Sequence, residues 1–233
     1  MQGLLVAALL VVLVVFGINQ WIESDIRNWL SSDVPEQAGD PKTYQVFNQA
    51  GLDILQPLVL NGGDKLLFER GRSFQGPLSL QRTDVRPDQV ITIGDFGDSD
   101  APRPVINADA HGMGTIDIRD SGGWLIENLE ITNQSAERSE RMGIYITAEN
   151  SGVHKNFVVR NCYVHDVTGE FKNFNNGGII FRVTGSETPT WFDGVLIENN
   201  EIRHISGVGI RTKSTWESGP EDPRGLNRYV KGR

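Results

Sequence analysis

Four cations are the residues of this chain best placed to do chemistry: Arg119, Arg182, Arg211 and Lys213. They lie in or beside segments that align without gaps, Thr115-Ile-Asp-Ile-Arg119, Gly143-Ile-Tyr-Ile-Thr147, Gly178-Ile-Ile-Phe-Arg182 and Gly209-Ile-Arg-Thr-Lys213. Alternation with period 2 sends Ile116/Ile118, Ile144/Ile146, Ile179/Phe181 and Ile210/Thr212 to one face of a strand and their neighbours to the other. Extending that column upstream through Leu66/Phe68 and Ile91/Ile93 gives two outward rows. One is Leu67, Thr92, Asp117, Tyr145, Ile180, Arg211; the other is Glu69, Gly94, Arg119, Thr147, Arg182, Lys213. Adjacent strands lie about 4.8 Å apart, close to the repeat of an extended sugar chain. Cations at that spacing can hold a series of anionic groups. A cation that neutralises a carboxylate also makes the neighbouring C–H proton easier for a base to remove.

Such rows need a scaffold that stacks strands, and the chain repeats itself accordingly. Trp124-Leu-Ile-Glu-Asn-Leu-Glu-Ile-Thr-Asn133, Phe157-Val-Val-Arg-Asn-Cys-Tyr-Val-His-Asp166 and Val195-Leu-Ile-Glu-Asn-Asn-Glu-Ile-Arg-His204 superimpose. The cation-bearing segments begin 28, 35 and 31 residues apart, so the length variation falls in loops. Repeats of this size cannot bury an apolar face alone and stack as a solenoid. Their β-branched, period-2 content makes the unit a strand, and the fold an all-β parallel solenoid. Asn128, Asn161 and Asn199 follow inward residues at the period-2 position, which predicts a ladder of inward amides at a bend. Simple turn residues in the left-handed conformation are the alternative. Cys162, the single cysteine, excludes an internal disulfide and reads as packing.

The 26 glycines suit a turn-rich β protein, and a formal net charge of −8 argues against a nucleic-acid partner. Gly3 to Ile18 is an uncharged apolar run, and Trp21, Ile22, Ile26, Trp29 and Leu30 share one helical face after it. Residues 1–30 therefore read as a hydrophobic helix, a retained signal-anchor or a cleaved signal peptide, with membrane contact and export of the rest. Residues 31–42 read as a linker and 43–214 as the solenoid, with an N-terminal cap over about 43–62. Residues 215–233 form an irregular tail, after which further coils are expected.

The coil pattern resembles the right-handed parallel β-helix of the pectate-lyase superfamily. The segment from Gly62-Gly-Asp-Lys-Leu-Leu-Phe-Glu-Arg-Gly71 to Ile91-Thr-Ile-Gly-Asp-Phe-Gly97 and Pro104-Val-Ile106 is similar to bacterial exported β-helix proteins. The resemblance implies a polysaccharide lyase acting by β-elimination on an anionic, uronic-acid polysaccharide. On that reading Lys213 is the base, Arg182 and Arg211 neutralise the carboxylate, and Tyr145 is a stacking platform. Arg119, Thr147, Asp117 and Lys172 bind substrate, Lys172 from the loop after His165-Asp166, with His204 aligned to Asp166. A glycoside hydrolase is the alternative and needs two carboxylates about 5–10 Å apart. Asp117 and Glu69 make a poor pair for it, and Glu149 and Glu187 fall in turns that the pattern does not locate. A carbohydrate-binding or adhesin-like surface protein is the third reading. Asp95, Asp98 and Asp100 crowd one turn as a calcium candidate, without a full ligand spacing.

Overall fold

The computed structural model describes residues 40–84, 86, 88–137, 139–170 and 176–215. The apolar run, its interfacial helix and most of the linker fall outside these residues, as do Lys172 and the tail from 216. Among the described residues, no helix is long and apolar enough to cross a membrane.

The described chain is all-β, and its strands form three parallel sheets visited in turn, the arrangement of a parallel β-helix. The first wall holds β1 (Thr43–Val46), β3 (Lys65–Glu69), β6 (Ile91–Phe96), β9 (Trp124–Glu127), β12 (Val153–Arg160) and β15 (Trp191–Glu198). The second holds β4 (Ser73–Gln75), β7 (Val105–Asn107), β10 (Glu130–Asn133), β13 (Tyr163–Val167) and β16 (Glu201–Ile205). The third holds β2 (Leu58–Leu60), β5 (Leu78–Arg82), β8 (Gly114–Arg119), β11 (Met142–Glu149), β14 (Gly177–Thr184) and β17 (Val208–Ser214). One coil takes a strand from each wall in that order, so every strand pairs with its counterpart one coil away. Alternate residues point into the shared interior. Leu66, Ile93 and Ile126 stack there in register on the first wall, each fully buried. Before the first second-wall strand comes a six-residue helix, α1 (Gln49–Ile54), whose Leu52 enters the core. Gln49 Oε1 accepts from the Gln75 N–H at 2.7 Å, meeting the backbone of the edge strand β4.

The structure corrects two expectations. Leu66/Phe68 and Ile91/Ile93 belong to the first wall, not to the column of Ile116/Ile118. The partners of Ile116 and Ile118 are Leu78 and Leu80, and Ser79 stands opposite Asp117. Leu67, Thr92, Glu69 and Gly94 therefore leave the outward rows. All three walls share one alternation, so period and spacing cannot tell them apart when coil lengths vary.

The asparagine ladder is also absent. Asn128, Asn161 and Asn199 have φ of +59°, +54° and +53°, the left-handed conformation that Asn tolerates at a corner. Asn128 Nδ2 donates to Asp95 Oδ1 at 2.9 Å. A left-handed residue interrupts the alternation, so the next residue faces inward: Leu129 and Cys162 are buried. Asn200 occupies the same place, accepting from the Cys162 N–H at 2.9 Å and donating to the Val159 carbonyl at 2.8 Å. Burial pushes the Cys162 thiol up to about 12. Iodoacetamide is expected to leave Cys162 unmodified in the native protein and to alkylate it after denaturation, as mass spectrometry would read.

Candidate functional site

The cationic row forms on the outer face of the third wall. Arg119 pairs with Thr147, Thr147 with Arg182 and Arg182 with Lys213 in the parallel register. Asp117, Tyr145, Ile180 and Arg211 make the neighbouring row. A groove of about 350 Å³ opens over β8, β11 and β14, and Arg119, Tyr145, Thr147 and Arg182 line it. Arg211 and Lys213 continue the rows one coil on, both partly buried.

Two of the expected contacts are altered by burial. Tyr145 is only 4% exposed, clustered with Met142 and Ile180, so its ring has no open face for stacking on a sugar. Its hydroxyl accepts from Arg182 Nη1 at 3.3 Å. Asp117 is also buried and is chelated by Arg119, with Nε to Oδ1 at 3.0 Å and Nη2 to Oδ2 at 2.9 Å. That hydrogen bond, followed by the Coulombic attraction of the same carboxylate, raises the Arg119 pKa. Arg119 and Asp117 thus act as a neutralised pair. Arg182 differs: it has no ion pair among the described residues, and its buried Nε has no hydrogen-bond partner.

Two carboxylates that the alternation does not bring together also line the groove: Asp120 and Glu149. Asp120 immediately follows β8 with φ of +46°, and Glu149 ends β11 one coil later. Asp120 Oδ1 accepts from the Glu149 N–H at 2.7 Å and from Ser151 Oγ at 2.7 Å, so the two residues are in direct contact. The residue just after β11 is Asn150, φ +48°, and after β14 it is Gly185, φ +102°. The corner requires a left-handed residue and an acceptor; Asn150 Oδ1 meets this by accepting the N–H groups of Ser186, Glu187 and Thr188. An amide is sufficient for that structural task. The negative charge at Asp120 is surplus to it. Glu149, expected in a turn, is instead the last residue of β11, and the signal for Asp120 was its place directly beyond Arg119, where strand alternation no longer says which way a side chain points.

The other candidates lie apart from the groove. His165 and Asp166 are on the second wall, with His165 Nδ1 2.8 Å from Asp166 Oδ2 and Nε2 3.0 Å from Glu130 Oε1. His165 stacks on Tyr163 with ring centroids 4.0 Å apart, and His204 Nδ1 is 3.3 Å from Asp166 Oδ1. Asp95 is taken up by Arg70 at 2.5 Å and by Asn128, while Asp98 Oδ1 accepts from the Asp100 N–H at 3.0 Å within its turn. Among the described residues, no three His, Cys, Asp or Glu side chains gather to hold a metal.

Stacked parallel coils with a polar groove along one outer wall define a parallel β-helix, and the comparisons fall on that fold. The chain is 29% identical over 214 residues to a lacto-N-biosidase of Bifidobacterium longum subsp. longum, covering 65% of this chain and 13% of that protein. The crystal structure of a GH136 lacto-N-biosidase from Eubacterium ramulus superposes with a TM-score of 0.66 at 23% identity, over 82% of this chain and 39% of that one. Its selenomethionine derivative gives 0.58 at 22% identity, over 78% and 37%. No family model matches the chain. The chain thus spans well under half the length of either relative, and the likeness to the solved structures is one of fold.

Proposed function

We propose that this protein is a glycoside hydrolase that binds an oligosaccharide along the outer face of the third wall. The observation that carries the proposal is the pair Asp120 and Glu149, on adjacent coils and both lining a groove that also offers Arg119 and Arg182. Glycosidic cleavage needs one carboxyl to protonate the departing oxygen and a second carboxylate at the anomeric centre. Glu149 is exposed and takes the first role; Asp120, fixed through Oδ1, takes the second through Oδ2. The 29% identity to a lacto-N-biosidase supports hydrolysis over the elimination that the resemblance to polysaccharide lyases implied. It makes a glycoside of lacto-N-biose the first substrate to try.

Arg182, without a carboxylate partner among the described residues, supports a glycan that carries acidic or strongly polar substituents, with Lys213 and Arg211 extending its path. The coils are taken as right-handed, because parallel crossovers almost always are, and as belonging with the pectate-lyase-like β-helices. The apolar run from Gly3 to Ile18 supports export, with the N-terminus at a membrane. The test is product analysis with a chromogenic lacto-N-bioside, and with pectate and alginate. New reducing ends without an unsaturated product are expected. An unsaturated product with its ultraviolet absorbance would select the lyase with Lys213 as base, and binding without either product would select an adhesin-like role.

A further inference from the structure

We infer that Ser151 and His154 are positioning residues for the groove carboxylate of Asp120, an inference that rests on the hydrolase reading. Ser151 Oγ lies 2.7 Å from Asp120 Oδ1 and 2.9 Å from His154 Nε2. A serine hydroxyl has one proton. An ionised carboxylate only accepts, so that proton goes to Asp120 and the serine lone pairs face the ring. His154 must therefore donate from Nε2, and the chain of donors runs His154 to Ser151 to Asp120. The Glu149 N–H is the second donor to the same oxygen, at 2.7 Å. With Oδ1 doubly occupied, Oδ2 carries no hydrogen bond among the described residues and is the oxygen left for a ligand.

His154 is not explained by packing. It is buried at the start of β12 with its ring centroid 6.4 Å from that of Phe192. Its register partner one coil on is that same Phe192, so a hydrocarbon ring fills the equivalent inward position. Burial lowers the His154 pKa, opposed by the charge of Asp120. A buried imidazole in place of a phenyl ring supplies one thing that Phe192 does not, a donor aimed at Ser151. Ser151 in turn crosses from the corner of one coil to the carboxylate of the coil before it. Two donors on one oxygen fix the carboxylate's orientation, which is what a group facing an anomeric centre requires.

The test uses the full chain and the chromogenic lacto-N-bioside, with Ser151→Ala, His154→Phe and His154→Gln. His154→Phe copies the neighbouring coil and is expected to keep the native melting temperature. Ser151→Ala and His154→Phe are each expected to lower kcat about tenfold or more with KM nearly unchanged, the effect of losing one hydrogen bond to a charged group. His154→Gln, whose side-chain N–H can reach Ser151, restores most of the rate. Native kcat in both Ser151→Ala and His154→Phe would overturn the inference while Asp120→Asn still abolishes turnover. If Asp120→Asn leaves turnover intact, or the native chain hydrolyses nothing, the hydrolase reading is what has failed. In that event carboxyl carbon NMR of Asp120 decides: a chemical shift at neutral pH that Ser151→Ala does not move overturns the positioning role.

Discussion

Asp120→Asn and Glu149→Gln are each expected to lower hydrolysis by about 10²–10⁴-fold, the range that one positioned acid or base contributes. Both replacements keep shape. Asn at 120 can still accept from the Glu149 N–H and from Ser151 through its amide oxygen, as Asn150 does for three N–H groups at the following corner. Asn also tolerates the left-handed φ of +46°. The folded corner therefore survives and only the charge is removed. Glu149 is exposed at the end of β11, so its replacement by Gln is expected to leave the melting temperature unchanged. Initial rates with the chromogenic glycoside, beside circular dichroism melts, read both effects. Full activity in either variant would remove that residue from the carboxylate pair.

Phe181→Ala is expected to destabilise the folded chain by about 3–5 kcal/mol, the usual cost of deleting a buried aromatic ring. Phe181 is 1% exposed and contributes its ring from the third wall. It meets Phe157 edge-on at 5.6 Å and Phe192 at 5.4 Å, two rings from the first wall that themselves lie 5.3 Å apart. These three rings bridge two walls across two coils. Edge-to-face pairs add about 0.5–1.5 kcal/mol each beyond area burial, and a domain of ordinary stability has only about 5–15 kcal/mol in total. Phe181 also sits beside Arg182 on β14, so loosening the strand disturbs the groove floor and lowers activity with stability. Urea denaturation followed by tryptophan fluorescence measures the loss. A change below about 1 kcal/mol would mean that the rings pack independently of one another.

Local composition carried much of this. The alternation of Ile144, Ile146, Ile179 and Phe181 set the inward face of the third wall, and the same alternation put Arg119, Thr147, Arg182 and Lys213 in one outward row. The inward side of Ile126, Val159 and Ile197 was equally readable. Inferences that cross a corner fail, and so does the equation of outward with exposed. Asn128, Asn161 and Asn199 were counted as inward because period 2 was carried through a residue with positive φ. Leu66 and Ile93 were stacked under Ile116 because coils of unequal length hide which wall a strand joins. Tyr145 was read as an open platform because outward was equated with exposed, yet Met142 and Ile180 enclose it.

A repeating pattern of side chains determines that this chain stacks strands, since alternation and repeat length are local properties written residue by residue. It also determines the row of cations, because a parallel register copies one strand's order onto the next. Which carboxylates share the groove was decided only in three dimensions. Asp120 and Glu149 are 29 residues apart, and their contact exists because β8 stops two positions short of β11 and the corner turns the Asp120 side chain toward the longer strand. Backbone direction at a left-handed corner depends on the coils above and below it, and no spacing along the chain encodes that.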